Sequence, residues 1–204
     1  MKVPSIFYML SKRAVHRALL TAFVTSGRAP TVSELRDLLA ADETELVQAL
    51  RELETDDAIV RAEGTGEVVV AYPFSTEPSP HKVTTLAGRT LFCMCAIDAL
   101  GVHFMLREPV LIESLCPWRE TAIRIELRDG ELVSTLPPTV VVWRTRRRSG
   151  EAHDATTCCQ GTRFFSSPRA LDDWLGAADR TAGDRLSLRQ AADRGGMLFS
   201  DLLA

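Results

Sequence analysis

Apolar side chains near the start of the chain recur at the three- and four-residue spacing of amphipathic helices. The pattern predicts one helix over residues 14–25, a second that Ser33 caps and that runs to Leu39, and a third over residues 44–53. Two strand-like runs follow, residues 58–61 and 67–72. Gly64 and Gly66 lie between these runs and are typical of a hairpin turn, so the segment predicts three helices and a hairpin.

This succession is the outline of a winged helix, which we place at residues 1–76. The predicted third helix and its two ends are acidic, because residues 42–54 carry five carboxylates against the single base Arg51. A surface that binds nucleic acid needs clustered cations, and the whole chain has 24 basic and 27 acidic residues with a net charge of −3. The module is therefore predicted to be structural, with no nucleic-acid partner.

The apolar pattern changes after a proline-containing segment, Pro73–Pro80, that we interpret as a linker. Beyond it, helical and alternating patterns both occur, which predicts an α+β fold: a winged-helix-like three-helix module followed by a mixed β-sheet domain with flanking helices at 77–204. The elements predicted for this second domain are a helix over 91–100 capped by Thr90, strands over 121–128, 131–134 and 140–143 with a turn at Asp129-Gly130, and a helix that Ser167 caps and Pro168 begins.

Length and composition limit the class of protein further. The chain has 204 residues, of which 46% are hydrophobic and 25% charged, and it has no apolar run of the roughly 20 residues that a membrane-spanning helix needs. Five cysteines are too few, and odd in number, for a secreted disulfide framework. We therefore expect a cytoplasmic protein with reduced thiols and no membrane association.

The cysteines are clustered, and the first cluster offers chemistry. On a helix, Cys95 and Asp98 would project from the same face, which places a thiol beside a carboxyl group. Near a helix N-terminus the partial positive charge favours the thiolate, the reactive form. Taken alone, this spacing is more typical of a small buried cysteine beside a solvated or capping acid.

The other cysteines limit how the thiols can combine. On the same helix Cys93 would point about 200° away from Cys95, and Cys158 and Cys159 would face opposite sides of a strand. At most one thiol of each pair is then expected at a common site, which argues against a closed tetrathiolate zinc centre. One thiol from each pair, with a carboxyl group alongside, would form an open site for a soft metal ion. The four histidines lack metal-ligand spacing and are interpreted as structural: His16, His81, His103 and His153.

Three stretches of the sequence together resemble a known family. They are residues 88–100, which contain Cys95-Ala-Ile-Asp98; residues 113–117, which read Glu-Ser-Leu-Cys-Pro and are followed by Ile123; and residues 159–167, Cys-Gln-Gly-Thr-Arg-Phe-Phe-Ser-Ser, followed by Asp173-Trp174. These segments are similar to those of the organomercurial (alkylmercury) lyases, which split the carbon–mercury bond by protonation. The family also places a winged-helix-like module first.

The resemblance implies an enzyme and its site residues. It assigns the first catalytic cysteine to Cys95 and the carboxyl group to Asp98. An ungapped count back from Phe164 assigns the second cysteine to Cys159, whereas a one-residue gap would select Cys158. The products would be a hydrocarbon and Hg(II) bound by Cys95 and Cys159, with no cofactor. Cys116 matches a cysteine with a structural role in the family.

The resemblance also implies partners and leaves other functions open. The partners would be an organomercurial substrate, low-molecular-weight thiols and a mercuric reductase that receives the metal. The alternatives are a soft-metal (Hg or Cu) sensor or carrier, a divergent lyase that acts on another carbon–heteroatom bond, and a thiol redox protein that uses the vicinal cysteines. A basic cluster comprises Arg144, Arg146, Arg147 and Arg148. We interpret it as a solvated edge or loop, with docking of an anion or of a partner protein as the alternative.

Overall fold

The computed structural model describes residues 10–146, 158–177 and 182–204. The chain begins with the three predicted helices, α1 (Lys12–Ser26), α2 (Val32–Leu39) and α3 (Glu43–Thr55). The cap of α2 differs from the prediction, because the side chain of Thr31, not Ser33, accepts the N–H of Glu34 while the Glu34 carboxylate accepts the N–H of Thr31. This reciprocal capping box satisfies two backbone donors and fixes the start of α2.

The predicted hairpin follows, with β1 (Ile59–Arg61) antiparallel to β2 (Val68–Ala71). Gly64 and Gly66 in the connecting turn have positive φ angles of 84° and 72°, which explains the choice of glycine there. Three helices and a hairpin thus occur in the predicted order, and the assignment to the winged-helix class stays a prediction.

The segment interpreted as a linker contains a strand. Residues Phe74–Ser75 form β3, which pairs with β2 on one side and β5 on the other. The ring of Phe74 is fully buried and lies 5.4 Å, centroid to centroid, from that of Phe23 in α1. The sheet therefore continues across the segment. Its eight strands run in the order β1-β2-β3-β5-β4-β6-β7-β8, with β4 (His81–Thr84), β5 (Thr90–Cys93), β6 (Val110–Leu115), β7 (Ala122–Arg128) and β8 (Glu131–Leu136).

The helix predicted over residues 91–100 is wrong in its first half. Residues 90–93 form β5, and the helix α4 begins at Ala96 and ends at Leu106 with Cys95 as its N-cap. Helix α4 is buried on nearly all sides and β5 is only four residues long, so the apolar residues of the two elements form one run without a distinguishing period. Cys95 thus precedes the helix, and Cys93 belongs to a strand.

The strands β7 and β8 and the turn between them confirm the alternation predicted for residues 121–134. Asp129 and Gly130 both have positive φ angles, 51° and 79°, as a two-residue hairpin loop with the twist of its strands requires. Buried side chains alternate along β7 with exposed ones. One face of this part of the sheet therefore packs on the core.

A second, three-stranded sheet lies near the end of the chain, with β9 (Val141–Thr145) between β10 (Arg163–Phe165) and β11 (Gly183–Ser187). The predicted helix that Ser167 caps is present, with Pro168 in its first turn. The C-terminal helix was not predicted. None of the described helices is long and apolar enough to cross a membrane. These elements are β9 (Val141–Thr145), α5 (Cys158–Gly161), β10 (Arg163–Phe165), α6 (Pro168–Gly176), β11 (Gly183–Ser187) and α7 (Leu188–Phe199).

Helices α4 and α7 cross in close contact at two glycines. A Cβ atom at Gly195 would lie 2.8 Å from the backbone nitrogen of Gly101, and one at Gly101 would lie 2.2 Å from Cδ2 of Phe199. Only hydrogen fits at either position, so the backbones approach closely. This contact fixes α7 beside the helix that Cys95 caps.

Candidate active site

Two thiols and a carboxyl group from distant parts of the chain meet in the interior. The sulfur atoms of Cys95 and Cys159 and a carboxylate oxygen of Asp98 all lie within 4.8 Å of one another. The three residues are buried, with exposed fractions of 4%, 9% and 4% in the order named. Among the described residues this is the only group of three or more such side chains that could hold a metal ion.

The helix cap brings Cys95 and Asp98 together. Cys95 has extended backbone angles, and its sulfur accepts the backbone N–H of Asp98 at 3.4 Å. An N-cap side chain and the third residue of the helix approach each other in this geometry, because the cap bonds to an N–H of the first turn. The sequence prediction placed both groups on the helix itself, and the structure brings them together by the cap.

Cys159 lies in a single helical turn, α5, and the strand predicted for this pair is wrong. The turn ends where the Thr162 hydroxyl donates to the carbonyl of Cys158 at 2.8 Å. Gly161 permits the approach of β9, since a Cβ atom there would lie 2.3 Å from Oγ1 of Thr145. The Thr162 carbonyl in turn accepts the N–H of Ala96 at 3.2 Å, which links α5 to the start of α4. This link sets Cys159 beside Cys95, whereas Cys158 is partly exposed.

The Cys95 thiol is held in its protonated form. Burial raises its pKa well above the ordinary value, and its hydrogen bond with Cys159 and the charge of Asp98 raise it further. The N–H of Asp98 acts in the opposite direction. A soft cation that replaces the thiol proton would therefore relieve the cost of a buried negative charge.

A cavity of about 590 Å³ opens on the three groups. Tyr72 lies in its wall, and the phenolic oxygen accepts the Cys159 thiol at 3.9 Å. Burial raises the pKa of Tyr72, as do the charges of Cys159 and Asp57, so the phenol stays protonated at neutral pH. The remaining described lining residues are Asp57, Ile97, Arg144, Thr145, Arg146, Cys158, Thr162, Arg194, Leu198 and Phe199.

Most residues that line the cavity were not predicted from the sequence. Tyr72 ends the second predicted strand, and Asp57 precedes the first, so neither carried a chemical signal of its own. Arg194 and Leu198 belong to the unpredicted helix α7. The only available signal was four-residue spacing, which places Arg194 and Leu198 on one face of a helix.

The other candidate residues have structural surroundings. Cys93 is completely buried in β5 and is not among the described residues that line the cavity. Cys116 is buried as well. Burial raises the pKa of its thiol, but hydrogen bonds from Ser166 and nearby backbone N–H groups together outweigh burial and lower it. Arg144 and Arg146 both pair with Asp184. Arg147, Arg148 and His153 lie outside the described residues.

The predicted structural roles of two histidines agree with their contacts. His103 bonds through Nδ1 to the Glu108 carbonyl at 2.7 Å and accepts the N–H of Gly130 at Nε2. His81 is buried, and its Nδ1 lies 3.0 Å from Oγ of Ser114. Neither ring is therefore directed at the thiol cluster.

The chain is similar in sequence and in fold to known proteins. The chain is 27% identical to an alkylmercury lyase of Bacillus cereus over 179 residues, covering 88% of this chain and 78% of that one. It is 32% identical over 107 residues to an alkylmercury lyase of Staphylococcus epidermidis, covering 52% and 49%. A crystal structure of the mercury-bound form of MerB2 superposes with a TM-score of 0.81 at 27% identity, covering 95% of this chain and 91% of that one. The sequence profile of the alkylmercury lyases, MerB, matches residues 74–200, and the chain therefore belongs to the alkylmercury lyase family.

Proposed function

We propose that the protein cleaves carbon–mercury bonds by protonolysis, with Cys95 and Cys159 as mercury ligands and Asp98 as the proton carrier. The observation that carries the proposal is the mutual approach of the two sulfur atoms and the carboxylate to within 4.8 Å, at the buried end of a cavity. Two thiolates suit a soft ion such as mercury. A carboxyl group alongside suits the proton transfer that the departing carbon requires.

The reaction begins with metal exchange. The cation R–Hg⁺ binds the sulfur of one cysteine, which loses its proton, and the carboxylate of Asp98 collects that proton. The second thiol then binds mercury and loses its own proton to solvent. The two thiolates donate electron density to mercury and, through it, to the attached carbon. The carbon therefore accepts a proton more readily, and the Hg–C bond is weakened.

Carbon–mercury cleavage follows by transfer of the proton from Asp98 to carbon. The Hg–C bonding pair becomes the C–H bond, so R–Hg⁺ and two thiols give the hydrocarbon RH, mercury bound by two thiolates, and one proton. No electrons are exchanged with an outside donor, and the chemistry therefore calls for no redox cofactor. The apolar side chains of Ile97, Leu198 and Phe199 line the same cavity and would exclude water around the organic group.

Small thiols and a second enzyme complete the proposed cycle. Low-molecular-weight thiols would deliver the mercurial and help to remove Hg(II), which a mercuric reductase would then receive. We place this work in the cytoplasm, where thiols stay reduced. All five cysteines are free thiols, which is consistent with such a compartment.

The proposed domain division assigns residues 77–204 to catalysis and residues 1–76 to a structural module. Support comes from the family profile, whose match begins at residue 74. The module is more than a support, because Tyr72 and Asp57 contribute to the cavity wall. We therefore propose that both parts form the substrate-binding surface.

The test is production of benzene from a phenylmercury salt with excess small thiol, measured by gas chromatography. The wild-type protein should release benzene, and Asp98→Ala should lower the rate by at least ~100-fold. Asp98→Asn, which keeps the side-chain volume, should be equally impaired. Hg²⁺ affinity of both variants, measured by competition with a chelator, should remain close to that of the wild type.

Two results would contradict the proposal. Tight Hg²⁺ binding by the wild type without any benzene would favour the soft-metal sensor or carrier. Full turnover by folded Asp98→Asn would remove the carboxyl group from the mechanism. Far-ultraviolet circular dichroism of each variant checks that the fold is retained.

A further inference from the structure

Three arginines line the cavity that contains the thiol cluster. Arg144 and Arg146 come from β9 and the residue after it, and Arg194 comes from α7. Arg144 and Arg146 share one partner, the carboxylate of Asp184. Arg194 has no ion pair with any residue in the described part of the chain. Among the described residues, the three guanidinium groups therefore exceed the one carboxylate that pairs with them.

The positive charge lies at the solvent side of the cavity. The side chain of Arg146 is 60% exposed, and Arg194 is exposed as well. Cys95, Cys159 and Asp98 are buried in the same cavity. A ligand that extends from the sulfur atoms toward solvent can therefore contact the arginines.

The packing of helix α7 fixes the backbone position of Arg194. Its neighbour Gly195 is in backbone contact with Gly101 of α4, and Phe199 packs over the same glycine. Leu198, one turn after Arg194, lines the cavity with it and is 54% exposed. Arg194 and Leu198 thus present a cation and an apolar surface side by side, which fits a small molecule with one charged end and an apolar stem.

The complex of an organomercury cation with a small thiol can be such a molecule. An organomercury cation is soft and binds thiolate strongly, so in a medium rich in small thiols it travels as R–Hg–S–R′. The carbon attached to mercury has to reach Asp98 at the buried end, whereas the thiol R′–SH has to leave toward solvent. The R′ group is therefore the part of the complex that lies at the arginines.

We infer that Arg194 and Arg146 form a subsite for a carboxylate on the thiol that carries the mercurial into the cavity. Guanidinium groups bind carboxylates through paired, charge-assisted hydrogen bonds, and Arg146 already binds one in this way at Asp184. The other acidic groups of the described wall are Asp57 and Asp98. This inference rests on the proposed lyase function and adds the class of carrier to it.

The test compares two small carriers, one that ends in a carboxylate and one that ends in a neutral hydroxyl group. Phenylmercury is supplied with excess 3-mercaptopropionate or with excess 2-mercaptoethanol as the only thiol, and kcat/KM is measured from benzene release. The wild-type protein should prefer the carboxylate carrier by roughly tenfold, the scale of one charge-assisted hydrogen bond. Arg194→Gln should lower the ratio of the two kcat/KM values toward one.

Arg189→Gln is the matched control. Arg189 lies on the same helix, is exposed and pairs with Glu131, and it does not line the cavity. This variant should keep the wild-type ratio. An equal drop in both variants would mean that net charge, and not the subsite, sets the preference, and would overturn the inference.

A third substrate distinguishes the two possible sources of the carboxylate. The 4-carboxyphenylmercury cation with 2-mercaptoethanol carries the charge on the organic group. An Arg194-dependent preference for this substrate instead would overturn the carrier assignment, and a wild-type ratio of one would do the same. Failure to cleave any of the three substrates would contradict the lyase function itself, so the two failures are distinguishable.

Discussion

The phenolic oxygen of Tyr72 lies 3.9 Å from the sulfur of Cys159, although the two residues are 87 positions apart in the chain. Tyr72 follows β2 in the hairpin region, and its backbone N–H donates to the Ala58 carbonyl at 3.1 Å. The hydroxyl is thus held by the N-terminal part of the protein. Because the phenol keeps its proton, it can donate a hydrogen bond to Cys159 once that sulfur has become a thiolate.

Replacing Tyr72 by Phe should slow the enzyme without abolishing it. A hydrogen bond to a charged group contributes about 1.5–3 kcal/mol, so we expect kcat/KM for phenylmercury to fall by roughly tenfold or more. Hg²⁺ affinity should weaken in parallel, because the same thiolate is in the product complex. Unchanged values of both constants, with the thermal unfolding midpoint retained, would show that the phenol only fills space.

The two vicinal cysteines should behave differently. Cys159→Ser removes a sulfur from the cluster and should eliminate both turnover and two-thiolate binding of Hg²⁺, seen in the ultraviolet charge-transfer absorption. Cys158→Ser serves as the matched control, because Cys158 lines the cavity outside the three-residue group. It should keep turnover of the same order as the wild type. The reverse result would assign the second ligand to Cys158.

The glycine contact between α4 and α7 should be sensitive to a single methyl group. Gly195→Ala places a carbon 2.8–2.9 Å from backbone atoms of Gly101 and Ile97, which forces the helices apart. We expect the free energy of unfolding to fall by about 1–3 kcal/mol in urea titrations.

Gly176→Ala in α6 provides the comparison. A Cβ atom there meets nothing within 4 Å, so this variant should be neutral or stabilised by up to about 1 kcal/mol through helix propensity. Equal effects at the two positions would mean that the close approach of α4 and α7 does not limit stability.

The buried imidazole of His81 should make the fold sensitive to acid. Burial lowers the pKa of His81 to about 3, and the nearby charge of Arg163 acts in the same direction. The unfolded chain binds a proton at this residue below about pH 6.5, whereas the folded protein does not until about pH 3. The free energy of unfolding should therefore fall as pH decreases from 6.5 to 3, at a limiting slope of about 1.4 kcal/mol per pH unit from this group.

His81→Asn isolates that contribution. Asn retains a polar atom for the Ser114 hydroxyl, which now lies 3.0 Å from Nδ1, but cannot take up the proton. Its unfolding free energy should be lower at neutral pH and should decrease less steeply in acid than that of the wild type. Parallel curves for the two proteins would assign the acid sensitivity to other groups.

The spacing of apolar residues in the sequence predicted those helices and strands that bury only one face. Helix α1 and strand β7 each have an apolar and a polar face, and the predictions for both were confirmed within a few residues. The boundary between β5 and α4 could not be found in this way, because α4 is buried on nearly all sides and β5 has only four residues. Helix α7 was missed because Gly195 and Gly196 weaken its helical propensity, and packing against α4 stabilises it instead.

The sequence predicted which residues form the site, but not how the fold brings them together. The resemblance selected Cys95, Asp98 and Cys159 as a set, but spacing alone could not bring residues 64 positions apart together. Local geometry was predicted incorrectly at both cysteines: one caps a helix and the other lies in a helical turn. Tyr72 and Arg194 depend on how the sheets and helices pack, which no short motif encodes.

The continuous eight-stranded sheet has a practical consequence for any attempt to excise the C-terminal part. Cutting at residue 76 would remove β3 and leave the backbone of β5 unpaired along one edge, next to the cap that contains Cys95. An unpaired edge of this kind recruits other strands and promotes aggregation. Shortened versions of this protein should therefore precipitate or misassemble, and engineering for mercury remediation has to begin from the uncut polypeptide.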